Sequence, residues 1–206
     1  MTWTIPNVLT TVRLLAAPGV VLMFLYFTRP WADWFALVLF IGAAVTDWFD
    51  GYLARLWKQE SKFGAMLDPI ADKAMVVIAL LVITGFSGMN PWILLPATLI
   101  LFREVFVSGL REFLGAAADT LQVTNLAKWK TTAQMVAIGV LFLGTGLDFL
   151  ERGRGPEAGG LARLSDGPAG WATFVGICLL WVAAGLTVLT GWEYFRKSLP
   201  HLRDRP

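Results

Sequence analysis

Hydrophobic residues occur along this chain in long runs, and polar residues gather between the runs or at their ends. Each run approaches the roughly 20 residues that an α-helix needs to cross a bilayer. The pattern predicts an all-α polytopic membrane protein, built as a single domain over residues 1–206 with no soluble appendage. Six transmembrane spans are the simplest interpretation: 5–28, 31–57, 64–86, 91–114, 129–150 and 169–195.

Turn-forming residues separate these spans. Arg29 and Pro30 lie between the first two, the segment 85–91 begins with glycine and ends with proline, and a glycine-rich stretch at 151–170 precedes the last span. Small residues are also frequent inside the spans, which predicts close helix packing. They include Gly42, Gly139, Gly144, Gly146 and Gly185.

The composition agrees with a location in the lipid bilayer. The 206 residues are 56% hydrophobic and only 16% charged, with 10 Trp and 14 Phe. A soluble domain of this size needs a more polar exterior. We expect no cleaved signal peptide, because the first apolar run lacks a basic leader and is interrupted by Arg13. We expect no nucleic-acid partner.

The distribution of basic residues predicts the orientation. If the N-terminus is cytosolic and six spans alternate, only four of the 17 Lys and Arg residues fall on the outer side: Arg29, Arg152, Arg154 and Arg163. Loops on the cytosolic side of a membrane carry an excess of Lys and Arg. We therefore expect a multi-pass protein of the cytoplasmic (inner) membrane with both termini in the cytosol.

Charged ends of four predicted spans meet in the same half of the bilayer. The second span is apolar until Asp47, and the fourth is apolar until Arg103. About 12 helical residues cover about 18 Å, less than the roughly 30 Å hydrocarbon core. Charges at that depth are costly unless they pair, bind ions or line water. We infer a six-transmembrane-helix bundle with a polar cavity that faces the cytosol.

Four aspartates lie on the facing ends of the second and third spans: Asp47, Asp50, Asp68 and Asp72. Within each pair, a spacing of three or four residues puts both carboxylates on one helix face. Small residues on the same faces let a bulky ligand approach the backbone, namely Gly51, Ala54 and Gly64. Four carboxylates at membrane depth cannot all stay ionised without cations, so either protonation or divalent ions must relieve the charge.

Carboxylate oxygen suits hard cations such as Mg²⁺, and no Cys or His lies nearby to suggest zinc. Two divalent ions would balance four aspartates and clamp the attacking and leaving oxygens of a phosphoryl-type displacement. Helix capping or ion pairing is the alternative, which four aspartates in helical register disfavour. A divalent-cation transporter is another alternative. It predicts polar residues in the outer halves of the spans, which are almost uniformly apolar.

The segment from Asp47 to Asp72 reads D-x2-D-G-x2-A-R-x8-G-x3-D-x3-D. At all eight fixed positions this resembles the signature of the CDP-alcohol phosphatidyltransferase family, whose six-span architecture also fits. The resemblance implies two divalent cations, Mg²⁺ or Mn²⁺, held by Asp47, Asp50, Asp68 and Asp72. It further implies that Asp72 acts as the catalytic base. Residues at the CDP moiety would be Gly51, Ala54, Arg55, Gly64 and Asn7.

Outside the signature, the chain is similar to the branch of this family that uses sn-glycerol 3-phosphate as its acceptor. The similarity lies in residues 5–13, 103–104, 110–112 and 128–135. It implies phosphatidyl transfer from CDP-diacylglycerol to glycerol 3-phosphate, and a homodimer. The residues agree with a phosphorylated acceptor, because Arg103, Arg111 and Lys128 place cations where its phosphate could dock.

Several of these residues also fit a purely structural role. Arg103 could pair with Glu104 or with an aspartate, and Lys128 and Lys130 could extend to the membrane interface. Asn7 could cap the first helix. A sibling enzyme that uses inositol phosphate, serine or phosphatidylglycerol is the alternative within the family. An inositol-phosphate enzyme would need similar cations, so only the branch resemblance favours glycerol phosphate.

Overall fold

The computed structural model describes residues 5–57, 61–115, 125–152 and 167–202. These ranges contain six α-helices: α1 (Ile5–Tyr26), α2 (Trp31–Trp57), α3 (Lys62–Phe86), α4 (Pro91–Leu114), α5 (Asn125–Arg152) and α6 (Pro168–Leu202). All regular secondary structure in the described ranges is helical, which confirms the all-α prediction.

The helices follow the predicted spans closely, with two extensions. α5 begins at Asn125, one turn before the expected start, and α6 continues to Leu202, well past residue 195. The end of α6 is polar, and its Glu193 and Lys197 form an ion pair of 2.8 Å one turn apart. Such pairs support a helix in water, so a hydrophobic pattern could not predict this extension.

Side-chain caps fix the starts of α3 and α4. The Ser61 hydroxyl accepts a hydrogen bond from the Gly64 backbone N–H at 2.9 Å, and the Asn90 side chain accepts one from Trp92 at 3.0 Å. Each cap satisfies an amide that lacks a partner in the first turn. Between α3 and α4 the chain reverses at Gly88 and Met89, with φ of 62° and 60°.

Four of the six helices are long and apolar enough to cross a membrane, within Asn7–Tyr26, Pro91–Leu114, Trp129–Glu151 and Pro168–His201. The apolar part of α2 is shorter, Trp31–Thr46. Large apolar side chains cover the outside of the helices, and Leu15, Phe102 and Val105 are each about two-thirds exposed or more. A soluble monomer rarely exposes such a continuous apolar surface. These helices therefore indicate a multi-pass membrane protein.

The helix packing brings the polar ends of the helices together. α1 packs against α2 and α3, α5 packs against α6, and α4 packs mainly against α6. Phenylalanines fill the core where α1, α2, α3 and α5 meet. The Phe24 and Phe86 rings lie 4.5 Å apart, and the Phe40 and Phe142 rings lie 5.8 Å apart. This apolar core holds α1 and α3 in register, which positions the carboxylates described next.

Candidate active site

Two of the four predicted aspartates form one wall of the candidate site. Asp68 and Asp72 lie one turn apart on α3, and their side chains are 49% and 54% exposed. Both carboxylates accept hydrogen bonds from the same guanidinium, that of Arg13 on α1. Arg13 lies 3.0 Å from Asp72 Oδ1 and 3.4 Å from Asp68 Oδ1. The shared partner brings the two carboxylates together beside α1.

One polar face of α1 supplies the opposing groups. Asn7, Thr10 and Arg13 are spaced by three residues, so they share one side of the helix, and each is at most 3% exposed. The Thr10 hydroxyl donates to Asp68 Oδ1 at 2.7 Å. Thus α1 holds the Asp68 carboxylate from two successive turns while half of that side chain stays accessible to a ligand.

Asn7 and Gly64 were predicted to lie at the CDP moiety, and the structure brings them into contact with each other. Ser61 Oγ donates a hydrogen bond to Asn7 Oδ1 at 2.7 Å. A Cβ atom at Gly64 would lie 2.7 Å from the same Asn7 oxygen, closer than real Cβ contacts. A larger residue at Gly64 would therefore displace the Asn7 side chain that packs against it. Asn7 lies in the first described turn of α1.

Part of the predicted site lies outside the described side chains. The α2 backbone is helical through residue 57, which agrees with one shared face for the first half of the signature. The side chains of residues 47–57 and of Lys128 are not described. The assignments that remain predictions on this account are those of Asp47, Asp50, Gly51, Ala54, Arg55 and Lys128.

A group of three charged residues, Arg103, Glu104 and Lys130, joins α4 to α5. Glu104 Oε1 accepts from Arg103 Nη1 at 3.2 Å and from Lys130 Nζ in a short hydrogen bond. The three side chains are between 8% and 16% exposed. The pairing of Arg103 with Glu104, considered as an alternative from the sequence, is present. Arg103 Nε is buried and has no hydrogen-bond partner among the described residues.

Arg111 lies apart from that group. It is exposed near the end of α4, with its guanidinium carbon 6.0 Å from the centre of the Tyr194 ring on α6. Two helical turns separate Arg111 from Arg103, which corresponds to about 12 Å along α4. Of the three cations predicted to hold the acceptor phosphate, Arg103 thus lies in the group around Glu104, and Arg111 is exposed near the end of α4.

Several site residues carried no firm assignment from the sequence. Arg13 and Thr10 carried no assigned role, and Lys130 was considered only as a cation that could extend to the membrane interface. The sequence did indicate that Arg13 has a partner, because an isolated cation within an apolar run requires one at membrane depth. The partner's identity depended on the packing of α1 against α3.

The carboxylates of Asp68 and Asp72, together called the carboxylate wall, are also chemically suited to binding a divalent cation. Asp68 and Asp72 offer hard oxygen donors that are half exposed and close enough to share one guanidinium. Among the side chains that the structure describes, no group of three or more His, Cys, Asp or Glu residues is assembled. Asp47 and Asp50, which would complete the donor set, are not among those side chains.

Comparison with known proteins agrees with the signature. A model of the CDP-alcohol phosphatidyltransferase family matches residues 3–189. A curated relative from Cereibacter sphaeroides, named CDP-diacylglycerol–glycerol-3-phosphate 3-phosphatidyltransferase, is 68% identical, and the alignment covers 99% of each chain. Relatives with the same name from Shigella flexneri serotype 5b and Escherichia coli K12 are 38% and 37% identical over 100% of each chain. The chain therefore belongs to the CDP-alcohol phosphatidyltransferase family.

Proposed function

We propose that this protein transfers the phosphatidyl group of CDP-diacylglycerol to sn-glycerol 3-phosphate. The products are phosphatidylglycerol phosphate and CMP. The observation that carries the proposal is the pair of half-exposed carboxylates, Asp68 and Asp72, held by Arg13 inside the family signature. The names of the full-length relatives supply the acceptor.

Enzymes of this family generally depend on divalent cations, and we propose that two are held by Asp47, Asp50, Asp68 and Asp72. Bound there, Mg²⁺ or Mn²⁺ would neutralise the diphosphate of the donor and the charge on departing CMP. Asp68 and Asp72 suit such cations because their carboxylate oxygens are hard donors and their side chains are about half exposed. We place the CDP moiety against Gly51, Ala54, Arg55, Gly64 and Asn7.

The chain's own contribution to the chemistry is orientation and proton transfer. The hydroxyl of the acceptor attacks the lipid-side phosphorus, an oxygen–phosphorus bond forms, and the bond to CMP breaks. Asp72 takes the proton of that hydroxyl as the general base. Arg13 orients the Asp72 carboxylate from the buried side, which leaves the other half of the carboxylate directed to the acceptor.

The acceptor's phosphate requires cations near this base. We assign this role to Arg103, Arg111 and Lys128, because guanidinium groups bind phosphate through two parallel hydrogen bonds and lysine contributes a compact charge. Arg103 belongs to the Glu104 group on α4, and its Nε donor has no hydrogen-bond partner among the residues that the structure describes. A neutral alcohol acceptor would give such cations no anion to bind.

The membrane arrangement belongs to the same proposal. Six spans place the active site in a cavity that faces the cytosol, with both termini on that side and the acyl chains of the donor in the bilayer. The excess of basic residues in the inferred cytosolic loops supports this orientation. We also propose that two copies form a homodimer in the cytoplasmic membrane. Family membership favours this enzyme over a divalent-cation transporter.

An acceptor screen tests the reaction. Purified protein receives CDP-diacylglycerol, Mg²⁺ and one acceptor at a time, and CMP release is measured. We expect CMP only with glycerol 3-phosphate, and not with serine, inositol phosphate or phosphatidylglycerol. Release with inositol phosphate alone would refute the proposed acceptor while leaving the phosphatidyl-transfer chemistry intact.

A further inference from the structure

A second charged cluster lies beside the carboxylate wall and joins three helices through a single turn of α4. Glu104 binds Arg103 from its own helix and Lys130 from α5. One turn later, Ser108 accepts a hydrogen bond from Lys73 of α3 at 2.5 Å. The Ser108 hydroxyl in turn donates to the Glu104 carbonyl oxygen at 2.5 Å. We call these five residues the Glu104 cluster.

The charges of the Glu104 cluster do not balance. It contains three cations, Lys73, Arg103 and Lys130, and one carboxylate, so with all groups ionised it carries an excess of two positive charges. Lys130 is only 7% exposed. Unbalanced charge within a membrane helix bundle is costly unless an anion neutralises it. A phosphate monoester in its dianionic form supplies two negative charges and several hydrogen-bond acceptors.

The geometry leaves donors for such an anion. An ammonium has three N–H donors and a guanidinium has five, and the Glu104 carboxylate engages one from each neighbour. Arg103 also carries the Nε donor that no described protein atom accepts. Because one oxygen of Glu104 binds both cations, the ends of the Arg103 and Lys130 side chains are held next to each other.

We infer that Glu104 is a positioning residue for the acceptor: it holds Arg103 and Lys130 so that both contact the acceptor's phosphate, with Lys73 fixed nearby through Ser108. The inference rests on the proposed use of a phosphorylated acceptor. Without the carboxylate, the two long cationic side chains repel each other and adopt many rotamers, so an acceptor must order them when it binds. The result is weaker acceptor binding and little change in donor binding.

Glu104→Gln, Lys130→Met and the double variant test this role. Glu104→Gln leaves Arg103 and Lys130 without their carboxylate, and Lys130→Met leaves Glu104 with Arg103 alone, so both should lose thermal stability in detergent. The double variant removes the Glu104–Lys130 pair and should recover part of that loss, since Arg103 stays without its carboxylate. We expect KM for glycerol 3-phosphate to rise about tenfold or more in Glu104→Gln and in the double variant. KM for CDP-diacylglycerol should stay within about twofold of the native value.

The exposed pair of Glu193 and Lys197 on α6 provides the matched control. Glu193→Gln combined with Lys197→Met should leave both KM values unchanged. If the Glu104→Gln, Lys130→Met double variant has the native acceptor KM, the pair is purely structural and the inference is wrong, although the proposed function stands. If the native protein uses inositol phosphate instead, the proposed acceptor is wrong, and KM for inositol phosphate in the same variants decides the role of Glu104. Turnover only with an unphosphorylated acceptor would overturn both.

Discussion

Arg13 illustrates at the scale of one residue how a charge is accommodated in an apolar helix. Its side chain is 2% exposed and binds Asp68 and Asp72, whose side chains are about half exposed. Loss of both carboxylates would leave the buried guanidinium charge without compensation, which is destabilising. The contact therefore links the stability of the α1–α3 pair to the orientation of the proposed base.

Asp72→Asn should separate catalysis from binding. The amide keeps an oxygen that can accept from Arg13, but it cannot take a proton from the acceptor. General-base catalysis contributes about 10²–10⁴-fold to a rate. We expect kcat to fall by about 100-fold or more, while CDP-diacylglycerol binding, measured by equilibrium titration in detergent, is partly retained.

A suitable comparison is Asp33→Asn at the opposite end of the bundle. Asp33 is fully buried and accepts a hydrogen bond from Arg29 Nε at 2.8 Å. It is distant in sequence from Asp68 and Asp72. This variant should lower thermal stability without a comparable loss of kcat. Near-native turnover in Asp72→Asn would mean that another group takes the proton.

At the scale of helices, close packing depends on a subset of the small residues. Glycines were predicted to mediate helix contacts, and Gly144 and Gly146 do so. A Cβ at Gly144 would lie 2.9 Å from Thr173 Oγ1, and one at Gly146 would lie 3.4 Å from the Trp34 ring. A Cβ at Gly42, Gly139 or Gly185 would meet nothing within 4 Å. The sequence cannot distinguish these two classes, because both occur in equally apolar surroundings.

Gly176→Ala should destabilise the contact between α5 and α6. A Cβ there would lie 2.7 Å from Leu141 Cδ2 and 3.3 Å from the Leu141 backbone nitrogen, so either the Leu141 side chain or the two helices must shift. Overpacking of this kind costs about 1–3 kcal/mol. Thermal unfolding in detergent should therefore occur at a lower temperature than in the native protein.

Gly185→Ala on the same helix is the matched control, since its added methyl group enters open space. It should leave stability unchanged or raise it by up to about 1 kcal/mol, because alanine favours the helix. Equal stability losses in the two variants would show that helix contact is not the cause of the effect.

At the scale of the whole molecule, charge is segregated toward the two ends. Arg29 and Asp33 form a buried pair where the chain passes from α1 to α2, and Arg29 also lies 5.1 Å from the centre of the Phe86 ring. The carboxylate wall and the Glu104 cluster lie toward the other ends of the helices. The apolar exterior between them suits lipid. A polar cavity at that end of the bundle stays a prediction.

Cysteine labelling can test the proposed orientation. In a Cys178→Ser background, Asp204→Cys should react with a membrane-impermeant maleimide only after the cells are permeabilised. Arg154→Cys should react in spheroplasts with an intact membrane, because the connection that contains it is expected outside. The opposite pattern would reverse the orientation inferred from the basic residues.

The residue pattern alone determined much of the molecule. Runs of apolar residues predicted the helices within a few residues at most ends, because the bilayer imposes a length on each run. The segment from Asp47 to Asp72 resembled the family signature, and one helix turn between the members of each pair predicted carboxylates on a common face. Those properties are local along the chain.

Tertiary structure decided which polar groups meet. The contacts of Arg13 with Asp68 and Asp72, and of Lys130 with Glu104, join residues that lie between 26 and 59 positions apart. The helix period gives the direction of a side chain around its own axis, but not the rotation of one helix against another. That rotation follows from the packing of the apolar faces, and it explains why Lys130 belongs to a buried charged cluster although the sequence favoured Lys128.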